Sequence, residues 1–291
     1  MKKHLILSLA ALVFISLGFI NIVKASEIPL TITAPSLTLS KEYDGLNTAT
    51  VIGTGTVSGL ISPDDLTVLV SAVATYDTEA AGTGKTITVV YSLSGASSTN
   101  YIKPENYTTA TGVVSKKQLT IATSTEVTPS KTYDGNSTVV VTSTGTLGGV
   151  YNSEDVILQA TSTYNTVTAG TGKIITIGYS LSGTKAGNYF APQNATTSGV
   201  ITQKPLTIGN PTLTLSKVYD ENKNVTVIAM GNVSGFVSPD SSSTVLVSAV
   251  ATYDTMYLGI GKTITVAYSL SGASSTNYLS LIHISEPTRP Y

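Results

Sequence analysis

Lys41-Glu42-Tyr43-Asp44-Gly45, KEYDG, returns as KTYDG at residues 131–135 and as KVYDE at 217–221. A lysine, a tyrosine and a carboxylate repeated together fit either a reactive site or the corner of a repeated fold. Spacing separates the two. Tyr43, Tyr133 and Tyr219 stand 90 and 86 residues apart. Gly82-Thr83-Gly84-Lys85 recurs as Gly170-Thr171-Gly172-Lys173 and as Gly259-Ile260-Gly261-Lys262, and Asn100-Tyr101 recurs as Asn188-Tyr189 and Asn277-Tyr278. A strand-like joint separates the units: PLTI at 29–32, QLTI at 118–121 and PLTI at 205–208. Self-similarity at a fixed period signals a repeat architecture. The chain therefore divides into a leader at 1–25, repeat one at 26–117, repeat two at 118–204, a shortened repeat three at 205–278, and a tail at 279–291. Copies one and three share LVSAVATYDT (69–78 and 246–255) and YSLSGASSTNY (91–101 and 268–278) unchanged, the mark of recent duplication.

Inside a unit the period is two. Val68, Val70, Ala72, Ala74 and Tyr76 share one face, matched in repeat two by Val156, Leu158, Ala160, Ser162 and Tyr164. Ile87, Val89, Tyr91 and Leu93 line a second strand, matched by Ile175, Ile177, Tyr179 and Leu181. Such alternation marks strands packed on one face and wet on the other. Turn signals (Asp-Gly, Ser-Gly, Gly-Thr-Gly) punctuate the unit, and no segment keeps a helical period. The expected class is all-β: a tandem array of small antiparallel β-sandwich-like domains. A β-grasp-like unit with one short helix is the alternative.

Composition agrees. Of 291 residues only 11% are charged, Cys and Trp are absent, and 16 are Tyr. β-branched and aromatic side chains fit a pleated, half-buried surface. A net charge of −1 leaves no basic stripe to neutralise phosphates, which excludes nucleic acid as a partner. Lys2, Lys3 and His4 precede an apolar run from Leu5 to about Val23, and Val23 and Ala25 sit at the −3 and −1 positions of a signal-peptidase site. Residues 1–25 thus read as a signal peptide cleaved after Ala25, with an uncleaved anchor as the alternative; Ser8, Ser16 and Asn21 weaken a span. The cleavage point has no Cys for lipidation, and no disulfide can staple the exported chain. The expected location is secreted or cell-surface, with a membrane touched only through the leader or an anchor outside this sequence.

Catalytic, cofactor-binding and metal residues are all read as none. Gly-Thr-Gly-Lys is not a phosphate loop: Glu79 stands where the first glycine is required, and Ile174 follows Lys173. A hairpin turn with positive φ explains the glycines. Histidine occurs only at His4 and His283, outside the repeats, so Ser-His pairs, Cys-His pairs and zinc sets are excluded there. Asp64-Asp65, Glu154-Asp155 and Asp240-Ser241 read as an exposed polar loop, with weak calcium binding as the alternative.

The recurring residues are therefore assigned to structure: Lys41, Tyr43, Asp44 and Gly45; Lys131, Tyr133, Asp134 and Gly135; Lys217, Tyr219 and Asp220; and the pairs at 100–101, 188–189 and 277–278. The Asp should cap its own turn, the Gly should take φ > 0, and the Tyr should bury its ring and tie the corner with its hydroxyl. Glu221 replaces the third glycine; a non-Gly residue in the left-handed region costs roughly 1–2 kcal/mol, which a turn can absorb by changing type. A further possibility is an isopeptide cross-link from the Lys, Asp and Asn of one repeat (Lys41, Asp44, Asn100 and their counterparts). Solvated lysines explain that recurrence more simply.

Lys-x-Tyr-Asp-Gly, then Gly-Thr-Gly-Lys, then Leu-Ser-Gly and Asn-Tyr, closing with ITQKPLTI, resembles the YDG-type repeats of bacterial surface proteins. These accompany the related MBG repeats in large adhesins and haemagglutinin-like exoproteins. The resemblance spans nearly all of 29–278. It implies an extracellular array acting as a spacer or stalk of an adhesin, and supplies no catalytic residues or cofactor. Two alternatives stand beside it: repeats that themselves bind carbohydrate or host protein through exposed tyrosines, and accessory modules of a larger secreted enzyme. Host or matrix glycan or protein would be met through regions outside this sequence. After Tyr278 the pattern breaks into LSLIHISEPTRPY, which holds the only Arg, Arg289. This tail, 279–291, resembles translated sequencing-adapter read-through, so the native protein is expected to continue differently beyond 278.

Overall fold

A computed structural model describes residues 26–279 and 282–284. The leader and most of the tail lie outside the described residues. Two compact units emerge. Among the described residues the first holds 26–41, Asn47–Glu79 and Thr83–Val113; the second holds Glu42–Leu46, Ala80–Gly82, 114–279 and 282–284.

In the second unit, repeat two is built on a five-stranded sheet. Its order is Ser130–Thr132, Ala195–Thr202, Gly170–Ser182, Ile157–Tyr164 and Thr138–Val139. The centre is the hairpin foreseen from the alternation, with antiparallel pairs running from Ile157↔Ser182 to Tyr164↔Ile175. Ala195–Thr202, here called the closing strand, runs antiparallel to Gly170–Ser182 on one side. On its other side it runs parallel to Ser130–Thr132, pairing Lys131 with Ile201. The sheet is therefore mixed, which corrects the purely antiparallel expectation. A parallel partner must come from far along the chain, because a tight turn can only return the chain antiparallel.

Short pairs complete the unit: Thr120–Thr123 with Thr146–Gly148, Glu126–Val127 with Val141–Ser143, and, in parallel, Lys117–Gln118 with Tyr189–Phe190. Among the described residues the only helices are 3-10 turns of three residues such as Ala186–Asn188, so the helix of a β-grasp-like unit is absent there. Repeat one shows the same sheet order, and in its own unit Leu30, Val68 and Tyr101 form a small separate core.

The Gly-Thr-Gly-Lys motif lies in the connection of the hairpin, past the last pair Tyr164↔Ile175. Its second glycine takes positive φ in all three repeats, but in repeats one and two the motif is already strand rather than a simple tight turn. Gly170–Lys173 already belongs to the second hairpin strand, and the pairing with the closing strand shifts register between Gly170 and Lys173. Gly172 sits in that bulge at φ 64, a conformation open mainly to glycine. Lys173 reaches back over the rest of the connection, its Nζ donating to Thr166 Oγ1 at 2.6 Å and Thr168 Oγ1 at 2.9 Å.

One apolar cluster crosses the boundary between repeats two and three. Tyr133, Val139, Tyr164, Ile175, Ile177 and Ile201 of repeat two are continuous with Leu206, Val245 and Tyr278 of repeat three. Repeat three adds its own core of Val225, Ala251, Tyr253, Ile264, Val266 and Tyr268.

Candidate functional site

The YDG corner is a tight turn held by its own aspartate. Asp44, Asp134 and Asp220 each accept through Oδ1 from the backbone N–H two residues on, at 3.0, 3.1 and 3.2 Å. Gly45 and Gly135 take φ of 73° and 77°, and Glu221 takes φ 61°. The third corner therefore keeps its turn type with a strained residue in it, and does not absorb the substitution by changing type. Gly135 has a second reason to lack a Cβ, which would lie 2.9 Å from Val237 Cγ1 of repeat three. The lysine braces the corner from inside. Lys131 Nζ lies 2.6 Å from Asp134 Oδ1 and 5.7 Å from the Tyr164 ring centre; Lys217 and Asp220 pair at 2.8 Å.

The tyrosine does not tie its own corner. Tyr133 Oη donates to Asp240 Oδ2 of repeat three at 2.9 Å, and Tyr278 Oη donates to the same oxygen at 2.9 Å. The Tyr278 hydroxyl oxygen accepts in turn from Val237 N–H at 2.9 Å. The two rings meet edge to face with centres 5.5 Å apart, and Phe236 packs on Tyr278 at 6.0 Å. Asn277, 5% exposed, accepts through Oδ1 from Ala169 N–H at 3.0 Å. Corner and hairpin turn of repeat two thus enter a seat of Asp240, Asn277 and Tyr278.

Within the same unit, residues 42–46 and 80–82 fill the equivalent seat on repeat two. Tyr43 Oη donates to Glu154 Oε1 at 2.5 Å, Tyr189 Oη donates to Glu154 Oε2 at 2.6 Å, and Tyr151 N–H donates to Tyr189 Oη at 3.0 Å. The rings of Tyr43 and Tyr189 lie 5.3 Å apart, edge to face. Asn188 Oδ1 accepts from Ala81 N–H at 3.0 Å.

Repeat one carries a seat with a single tyrosine. Tyr101 Oη donates to Asp64 Oδ2 at 3.0 Å and accepts from Ile61 N–H at 3.2 Å, while Asn100 is exposed. Repeat three carries the converse, a corner whose Tyr219 is 48% exposed where Tyr43 and Tyr133 are 1% and 5%.

Electrostatics favour neutral phenols on an ionised carboxylate. Burial, reinforced by hydrogen bonding to Asp240, pushes the Tyr133 hydroxyl up to about 12. Burial and Glu154 push Tyr189 up to about 12, and Tyr43 higher still. At Asp240 burial acts to raise the carboxyl, but hydrogen bonds from Ser274, Tyr133 and Tyr278 outweigh it and hold the group below its ordinary range.

Sequence reasoning took Asp64, Glu154 and Asp240 for exposed loop positions. A signal was present, since they stand 90 and 86 residues apart, in step with the three corner tyrosines. The Lys, Asp and Asn of one repeat are not brought together as a cross-link needs. Lys131 is engaged with Asp134 and Asn136, while Asn188 binds Ala81. Among the described residues no group of three or more His, Cys, Asp or Glu side chains is placed to hold a metal, and no helix is long and apolar enough to cross a membrane. What the seat can do chemically is hold, by charge-assisted hydrogen bonds inside an aromatic cage.

Mixed sheets in tandem, each presenting a tyrosine corner and a carboxylate seat, define a repeat module. The YDG domain family matches at residues 24–111, 115–198 and 202–284, and the chain belongs to that family. No curated protein and no solved structure matches it.

Proposed function

We propose that this chain is a non-catalytic run of modules from a larger secreted or cell-surface protein, acting as spacer or stalk domains of an adhesin. The observation that carries the reading is the seat at Tyr133, Asp240 and Tyr278. A part-buried carboxylate shared by two buried phenols links one repeat to the next. Fixing successive modules is what a spacer requires, because an array of independently swivelling domains cannot hold a distal element at a set distance. Family membership and the low charge of the chain support an extracellular setting.

The test is small-angle X-ray scattering on this chain and on a version with a second copy of residues 118–204 inserted after Lys204. A spacer lengthens by one constant increment per added repeat. A maximum dimension that fails to grow, or saturable binding of a single purified repeat on a glycan array, counts against the spacer reading.

A further inference from the structure

Repeats one and two differ at one place on the inner face of the sheet they share. In repeat two this place is a cavity of about 930 Å³, lined by Glu126, Val127, Ile177, Tyr179, Pro192 and Ala195 among others. Its size falls in the range of small-molecule sites, roughly 300–1,000 Å³. Ala195 of the closing strand pairs directly with Ile177, which sets it on the same face as Ile177 and Tyr179.

Repeat one shows what occupies this place when the chain itself supplies it. Counted on from the Asn-Tyr pairs, Pro104-Glu105-Asn106-Tyr107 corresponds to Pro192-Gln193-Asn194-Ala195, so Tyr107 stands where repeat two has Ala195. Tyr107 is half-buried, and Tyr91, at the position of Tyr179, is 1% exposed. Burial first, and the neighbouring Tyr107 second, raise the Tyr91 hydroxyl above its ordinary value. In repeat two, with alanine at the Tyr107 position, Tyr179 is only half-buried and lines the cavity.

A second exchange falls on the same cavity. Glu126 pairs with Ser143 as Ser36 pairs with Gly53, so a carboxylate stands where repeat one has a serine. Relative to repeat one, repeat two thus combines room for a phenol ring with an anionic acceptor on the wall beside it. A phenol donating to a carboxylate is the pairing this molecule already makes at Glu154 and at Asp240. Such charge-assisted bonds are roughly twice as strong as neutral ones.

We propose that the cavity of repeat two is a binding site for a neutral phenol ring, either free or borne by a tyrosine of a partner chain. The ring takes the place that Tyr107 holds in repeat one, against Ile177 and Tyr179, and its hydroxyl donates to the Glu126 carboxylate. The test titrates the methyl-labelled full chain with p-cresol and with N-acetyltyrosinamide and follows both by NMR. Saturable shifts at Val127, Ile177 and Ala195 are expected, and the tighter ligand tells a free phenol from a tyrosine side chain. Ala195→Tyr should abolish them while the thermal melt is kept, because repeat one already accommodates tyrosine at this position. Tyr107→Ala should open a second site, with new shifts at Val89. Glu126→Gln should weaken binding about fivefold, the difference between a hydrogen bond to a charged group and one to a neutral group. No saturable shift at Ile177 and Ala195, or binding undiminished in Ala195→Tyr or in Glu126→Gln, would overturn the proposal.

Discussion

Asp240 shows how one side chain can carry a junction. Its Oδ2 accepts from Tyr133 of the preceding repeat and Tyr278 of its own. Tyr133→Phe removes a charge-assisted hydrogen bond while keeping the ring, so it should cost about 1.5–3 kcal/mol of unfolding free energy. A double-mutant cycle with Asp240→Asn checks this, because the pair should couple strongly if the bond is direct. The pH dependence has two arms. Tyr133 holds its proton more tightly folded than unfolded, so its contribution is full below the ordinary phenol value of 10.0 and is lost as pH climbs through about 12. Asp240 is held low, so its contribution is present above the ordinary value of 3.8 and is lost as pH falls through its depressed folded value. Denaturant melts across this range, read with tyrosinate absorbance, should show both arms. In Tyr133→Phe the alkaline arm should shrink, and an unchanged arm would refute the assignment. The corner's geometry was legible in Asp-Gly, but the hydroxyl's destination was not. Tyr133 and Asp240 are 107 residues apart, and only the matched step of acid and tyrosine links them.

At the scale of the element, the central hairpin was readable because eight consecutive pairs preserve a period of two. The closing strand's parallel partner was not, because Ser130–Thr132 is three residues long and meets a segment 70 residues away. Strands of two or three residues carry no periodicity. The Gly-Thr-Gly signal was read as a turn because glycine marks turns and bulges alike. Gly199 is the sharpest probe of this element. Gly199→Ala places a methyl group against the Pro129 carbonyl and the Ile175 side chain. It should destabilise repeat two by about 1–3 kcal/mol. Thermal melts of the purified variant check this, and a wild-type midpoint would mean that the closing strand can shift to make room.

At the scale of the molecule, the cluster from Tyr133 through Ile201 to Leu206 and Tyr278 joins repeats two and three into one core. Leu206, 1% exposed, lies just past the joint between them. Leu206→Ala should cost about 2–5 kcal/mol. Calorimetry combined with segment-resolved hydrogen exchange should show both repeats losing protection together; loss confined to repeat three would mean that the joint is not cooperative. Repeat number and approximate boundaries were legible from the period. The seat was not, since it is assembled from residues on both sides of each boundary.

That division has a consequence for how such genes can change. Tyr133 is encoded near the start of one unit and its carboxylate partner, Asp240, in the middle of the next, so one bond is written across two copies. An insertion or deletion of whole periods returns every corner to an acid-bearing seat. A crossover that shifts the frame by part of a period strands a part-buried carboxylate or a buried phenol without its partner. Unequal recombination at whole-period steps is therefore the one kind of length change that the packing leaves cheap, and the unaltered stretches shared by copies one and three are the trace such an event would leave.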